Sequence, residues 1–64
     1  MNPDLEFIRG FAARLRLDAV RLRNAAWTQQ DDNATKAQHY REIADLCVKK
    51  SEECERYVDE RMAK

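Results

Sequence analysis

The chain has 64 residues, with one Gly, one Pro and a formal net charge of zero. A chain of this length forms one small domain and buries only about 60% of the surface that its unfolded form exposes. Disulfides, a metal or association with another chain would complete its core. Two cysteines, one histidine and no close-spaced Cys/His cluster argue against the first two solutions.

The composition excludes several other classes of protein. Charged residues make up 38% of the chain and hydrophobic residues 44%, which is typical of long helices and argues against disorder. No run approaches the ~18 apolar residues that a membrane span requires. The N-terminus lacks the basic start and apolar block of a signal peptide, so we expect a cytosolic protein. The first half carries a basic excess and the second an acidic excess, so the two should attract each other.

The first predicted element is a long helix over about residues 3–30. Asn2 suits its cap, Pro3 its first helical position and Asp4 its positive end. Small and large apolar residues then alternate at spacings of three and four, which is a heptad seam that lets two helices approach closely. The seam consists of Leu5, Ile8, Ala12, Leu15, Ala19, Leu22 and Ala26.

A turn over about residues 31–35 separates this helix from a second one, predicted over about residues 36–62. Thr35 and Gln38 fit a capping box, whereas a cap at Asp32 or Asn33 would move the helix start by two or three residues. The second seam consists of Ala37, Tyr40, Ala44, Cys47, Ser51, Cys54 and Val58, widened by Ile43, Val48, Tyr57 and Met62. So short a turn makes the two helices antiparallel neighbours.

Oppositely charged residues support this pairing. Counted from a turn centred near residue 34, three arginines of the first helix lie level with three acidic residues of the second. Each set is spaced by seven residues and so follows one helix face. The predicted pairs are Arg9 with Asp59, Arg16 with Glu52, and Arg23 with Asp45.

Two helices alone do not enclose a core, because each covers only one side of the other. A second copy packed against the open apolar flank would close a four-helix bundle, most simply about a two-fold axis. The fold prediction is therefore an all-α antiparallel hairpin that forms a homodimer, with the orientation of the two hairpins left open. The predicted core and dimer residues are Leu5, Ile8, Phe11, Leu15, Leu22, Tyr40, Ile43, Cys47, Cys54 and Tyr57.

In plan, the chain resembles the Rop family of plasmid RNA-binding modulators. The similarity lies in its length, the Ala/Leu alternation of the first helix, the tight acidic turn and the cysteines of the second helix. This resemblance implies a dimeric bundle, and a modulator that binds RNA through its first helix.

The residues able to carry chemistry do not form a catalytic constellation. Cys47 and Cys54 lie about 10 Å apart along a helix, too far for a disulfide within it. They are either small core residues or a link between subunits. His39 has no helical partner for a metal, and no Gly-rich phosphate loop or nucleophilic serine elbow occurs. We expect no enzyme activity, no metal and no cofactor.

An apolar ridge follows the side of the first helix that lies away from its seam. Ala13, Leu17, Val20 and Trp27 form it, at spacings of four, three and seven. Arginines border this ridge on both sides. Trp and Arg are enriched at binding hot spots, and an apolar patch that is bordered by charge often marks a partner site. Alternatively, the wide buried arc of a bundle helix absorbs Val20 or Trp27. The predicted partner site consists of Arg14, Arg16, Leu17, Val20, Arg21, Arg23 and Trp27.

These observations favour a small homodimeric interaction module that binds and inhibits or recruits another protein, as regulators of phages and mobile elements do. The alternative is a Rop-like modulator that binds RNA or DNA through the arginines of the first helix.

Overall fold

The structure, a computed structural model, describes residues 3–63. It contains two helices, α1 (Pro3–Gln29) and α2 (Ala34–Met62), which pack side by side as an antiparallel hairpin. The hairpin measures 49 Å along its length and 14 by 11 Å across. The predicted all-α hairpin is thereby confirmed, and the predicted cap at Asn2 lies outside the described residues.

A short turn joins the helices and sets where α2 begins. The backbone N–H groups of Asp32 and Asn33 donate to the carbonyl of Gln29, at 3.1 and 2.7 Å. Asn33 is the N-cap, and its side-chain oxygen accepts from the backbone N–H of Lys36 at 3.0 Å. The capping box that was expected at Thr35 is therefore wrong, because Thr35 already lies in the first turn of α2.

The core of the hairpin is a single line of small side chains. The side chains that are at most 1% exposed are those of Ala12, Ala19, Ala26, Ala37, Ala44, Ser51 and Val58. Ala26 and Ala37 lie at equal distances from the turn in sequence, and so do Ala19 and Ala44. The helices thus meet in layers of small residues. The buried Ser51 hydroxyl donates to the carbonyl of Val48 at 2.7 Å, so burial leaves it satisfied.

The larger residues that we predicted for the core are not buried by the hairpin itself. Leu15 and Leu22 are half-buried, while Phe11, Ile43 and Tyr57 are exposed. The reason is geometric, since Leu15 and Leu22 follow a seam alanine by three positions and point about 60° to one side of it. The exposed Phe11, Ile43 and Tyr57 each directly precede a buried seam residue and point about 100° to that same side. These side chains border the seam on one side of the hairpin, and their role in a dimer stays a prediction.

The opposite side of the seam carries arginines, and their partners differ from the prediction. Arg23 does pair with Asp45, at 3.4 Å, but Arg16 pairs with Glu55 rather than Glu52, at 2.9 Å. Arg9 contacts the sulfur of Met62, at 3.2 Å, instead of Asp59.

A common cause explains these shifted partners. Helical side chains lean towards the N-terminus of their own helix. In this hairpin, side chains of α1 therefore lean away from the turn, and those of α2 lean towards it. Counted from the turn, Glu55 lies farther along α2 than Arg16 lies along α1. The two side chains lean towards each other and meet between these levels.

Candidate interaction surfaces

One side of the hairpin presents an apolar surface along both helices. Neighbouring members line shallow grooves: one groove contains Leu22, Tyr40, Ile43 and Cys47, and another contains Ile8, Cys54 and Tyr57. The heptad phase adds Phe11 and Leu15 to the same side, and Leu5 lines a further groove with Ile8 and Tyr57. We call this surface the apolar face, which consists of Leu5, Ile8, Phe11, Leu15, Leu22, Tyr40, Ile43, Cys47, Cys54 and Tyr57.

The two cysteines belong to this face. Both are free thiols and half-buried. Because they follow the seam residues Ala44 and Ser51 by three positions, they share one line beside the seam with Tyr40. Their roles, as small core residues or as a link between subunits, stay predictions.

Charges of both signs border the apolar face. Asp18 and Arg21 line the groove nearer the turn, and Lys50 and Glu53 line the more distant one. These four border charges are two of each sign and cancel.

On the other side of the seam, charged contacts connect the helices, and we call this surface the arginine side. Its members are Arg9, Arg16 and Arg23 of α1 with Asp45, Glu55 and Met62 of α2. The side chains of the Arg16–Glu55 pair remain 55% and 40% exposed. Such exposed pairs contribute roughly 0–1 kcal/mol each.

The predicted ridge is exposed where it carries its largest side chains. Trp27 is 71% exposed, Val20 52% and Leu17 49%. Neither Trp27 nor Val20 is therefore part of the hairpin's own core. Two other large side chains that the sequence analysis did not select are also exposed, Phe7 and Leu46. Each lies two residues after a seam position, a phase that points away from the other helix.

The arginines expected around this ridge divide into two groups. Arg16 and Arg23 form ion pairs with α2. Arg14 and Arg21 are exposed, and neither forms an ion pair or hydrogen bond within residues 3–63. Arg14 and Arg21 are thus the arginines of the predicted site whose charge no carboxylate of α2 engages.

The described part of the chain offers little to other kinds of site. Among residues 3–63, no group of three His, Cys, Asp or Glu side chains is arranged to hold a metal ion. His39 is exposed. Neither helix, over the same residues, is long and apolar enough to cross a membrane.

Comparisons with known proteins add no relative from which a function could be carried over. A scan against protein-family models, a search of curated proteins and a search of solved structures each find no match to this chain.

Proposed function

We propose that this protein is a non-enzymatic, homodimeric interaction module that binds another protein through the exposed ridge of α1 and thereby inhibits or recruits it. The observation that carries the proposal is the exposure of Trp27, which is 71% accessible on a helix whose other side is packed against α2. A large apolar side chain that stays exposed in the folded hairpin gains no free energy from burial. A partner that covers it would provide that gain.

The chemistry of the ridge defines the kind of partner it fits. Trp27, Val20 and Leu17 supply an apolar strip, and a buried tryptophan is among the strongest anchors in protein interfaces. Arg14 and Arg21 add positive charge, and no carboxylate among residues 3–63 pairs with either of them. The complementary surface is an apolar pocket on a protein, with acidic residues along one border.

Self-association is the second part of the proposal, and the sizes of the buried side chains support it. The hairpin fully buries alanines, one serine and one valine, while its leucines and tyrosines stay half-buried or exposed. A core of this kind is small even for a short chain. A second copy packed on the apolar face would bury these larger side chains and complete a four-helix bundle.

Nucleic-acid binding is the alternative function, and the exposed Trp27 together with Arg14 and Arg21 provides its support. Two further arginines of α1, Arg16 and Arg23, face carboxylates of α2 instead of solvent alone. This engagement and the zero net charge favour a protein partner over a phosphate backbone.

The test compares capture of partners by wild type, Trp27→Ala and a matched control, Leu46→Ala, which removes an exposed side chain from α2. Tagged proteins are incubated with lysate of the source organism, with and without nuclease. The captured protein is then purified, and its affinity for each variant is measured by calorimetry. We expect binding that survives nuclease, is retained by Leu46→Ala and falls at least about 30-fold in Trp27→Ala, as for a hot spot of about 2 kcal/mol.

Circular dichroism and thermal unfolding of the same variants check that the loss is local. Trp27→Ala should keep its helical content, with a change in stability within about 0.5 kcal/mol for an exposed position. Equal affinity of Trp27→Ala and wild type contradicts the proposed site. Capture that disappears with nuclease contradicts the protein partner and favours the nucleic-acid alternative.

A further inference from the structure

One line of buried small side chains joins the two helices, and we call it the alanine seam. It consists of Ala12, Ala19, Ala26, Ala37, Ala44, Ser51 and Val58. We propose that this seam also binds a second copy of the chain, in a dimer in which each chain opens at the turn into one continuous helix and α1 of each chain packs on α2 of the other. The inference goes beyond the proposed function, because it concerns the inside of the hairpin and does not depend on the ridge or the apolar face.

The spacing of the alanine seam across the turn fits a continuous helix. Within each helix the seam residues follow one another at intervals of seven, while Ala26 and Ala37, on the two sides of the turn, are 11 residues apart. Eleven residues make three turns of an α-helix and about 20° more. In a straight helix through the turn, all seven seam residues therefore fall within an arc of about 80°. Helix pairs accommodate such a step between heptads by local unwinding.

The same seam contacts form in both arrangements. In the hairpin, Ala26 lies level with Ala37 and Ala19 with Ala44, at equal distances in sequence from the turn. Two continuous helices that lie antiparallel about a two-fold axis at the turn bring Ala26 of one chain level with Ala37 of the other. The ion pairs of the arginine side form again between chains in the same way. Exchange of helices therefore preserves the contacts that hold the hairpin together.

The backbone of the turn has no feature that confines it to a reversal. The residues between the helices, Gln30, Asp31, Asp32 and Asn33, include neither Gly nor Pro, and no residue from 3 to 63 has a positive φ. The N–H of Asn33 still donates to the carbonyl of Gln29, four residues back as in an α-helix. Asn33 itself has a φ of −153° and a ψ of 88°, which any residue can exchange for helical values. The chain can thus continue through the turn as a helix.

Two effects favour the hairpin at low protein concentration. The side-chain oxygen of Asn33 accepts from the N–H of Lys36 at 3.0 Å, and a continuous helix loses this cap. The turn also holds α1 beside α2 at an effective concentration on the order of 1 mM, as short linkers do. Because the swapped dimer needs two chains, its share rises with protein concentration and becomes substantial near that value.

The swapped dimer presents the ridge differently to a partner. Trp27 follows Arg23 by four residues, so both lie on the same side of α1. A two-fold axis at the turn places the two Trp27 side chains on one side of the rod, about 14 Å apart along it. Two ridges thereby form one bivalent surface near the middle of the swapped dimer.

A distance within one chain distinguishes the two arrangements. Ala13 and Glu52 are exposed, and the variant Ala13→Cys/Glu52→Cys/Cys47→Ser/Cys54→Ser carries a nitroxide label at each of these two positions. In the hairpin the labels are about 20 Å apart, because packed helices lie about 8–10 Å from each other. In a continuous helix the same two positions are about 60 Å apart.

The labelled chains are unfolded together with a large excess of unlabelled chains and refolded at several concentrations up to about 1 mM. Each dimer then contains at most one labelled chain, so electron–electron double resonance reports distances within a chain only. We expect both distances, and we expect the share of the long one to rise with protein concentration.

Variants of Asn33 test the role of the turn. Asn33→Ala removes the cap and places a better helix former at the hinge of both chains. It should lower the concentration at which half of the chains are swapped by at least about 30-fold. Asn33→Gly is the matched control, because Gly caps nearly as well as Asn and is similarly poor inside a helix. Its midpoint should stay within about threefold of the wild type.

A short distance alone in chains with Asn33, at every concentration up to about 1 mM, overturns the proposal. A long distance whose share is independent of protein concentration also contradicts it, as does an equal response to Asn33→Ala and Asn33→Gly.

Light scattering of the same samples separates this inference from the self-association proposed for the apolar face. A dimer that shows only the short distance supports association of intact hairpins and overturns the swap. A dimer that shows the long distance supports the swap, and a monomer at every concentration overturns both.

Discussion

The apolar face and the arginine side differ in chemistry although they arise from the same heptads of α1. Leu15 and Arg16 are neighbours in sequence, as are Leu22 and Arg23. One residue along a helix is a rotation of about 100°, so each leucine points to one side of the alanine seam and each arginine to the other. A repeated Leu-Arg pair thus gives the hairpin one apolar and one charged surface.

The two surfaces also differ in what they contribute to stability. The arginine side makes its contacts within the hairpin, but these contacts are exposed and therefore weak. The apolar face makes incomplete contacts within the hairpin, and its large side chains gain more when covered, about 25 cal/mol for each Å² of apolar surface. Substitutions on the two surfaces should therefore have very unequal effects.

The largest effect is expected from Leu15→Asp, near the middle of the apolar face. A buried Leu→Ala change costs about 2–5 kcal/mol, and Asp additionally buries a carboxylate that has no partner. Because two copies would each lose at least about 2 kcal/mol, the dissociation constant of the proposed dimer should rise by about 1,000-fold or more. Sedimentation equilibrium and circular dichroism measure this loss.

Leu17→Asp is the matched control, since Leu17 lies on the exposed ridge, two residues away. It should leave the dimer intact. Equal dissociation of both variants would mean that the apolar face is not the surface where the copies meet.

An intermediate effect is expected from Ala19→Leu, on the seam between the two surfaces. Ala19 is 1% exposed and lies level with Ala44, so a leucine has no room unless the helices move apart. Overpacking of this kind costs about 1–3 kcal/mol. Urea unfolding at fixed protein concentration should give this loss, whereas Ala13→Leu, at an exposed position, should change stability within about 0.5 kcal/mol. An Ala19→Leu variant as stable as the wild type would contradict close approach at this layer.

The smallest effect is expected on the arginine side, from Arg16→Gln. A double-mutant cycle with Glu55→Gln should give a coupling energy of roughly 0.2–1 kcal/mol, because both side chains are about half exposed. The coupling should shrink further in about 1 M salt, where the screening length is about 3 Å. A coupling well above this range, unaffected by salt, would mean that the pair is buried in the assembled protein.

Several details of the fold were predictable only as alternatives. Asn33 and Thr35 are both good N-caps, and hydrogen bonds of the turn to Gln29 select Asn33. Glu52 and Glu55 lie about one helical turn apart on the same side, and the lean of the side chains brings Arg16 to Glu55. Such choices between neighbouring candidates depend on the distance and direction of the other helix, which no local pattern contains.

For the candidate site, the sequence predicted the apolar ridge but not which of the bordering arginines form ion pairs with α2. The spacing of Leu17, Val20 and Trp27 predicted one strip, and all three side chains are exposed. Their arginine border was only partly predictable, because Arg16 and Arg23 engage carboxylates of a distant segment. The sequence analysis did not select the exposed Phe7 and Leu46, because each occupies a heptad position at which the other residues of its helix are polar.

The sequence by itself determined that this protein has two long helices joined by a short turn. Uninterrupted heptads, Pro3 at the start and turn formers near residue 32 leave few other structures. Only the tertiary structure decided which heptad position is buried. Two helices can bury just the narrow strip between them, and close approach fills that strip with alanines, leaving the leucines and tyrosines of the same heptads beside it.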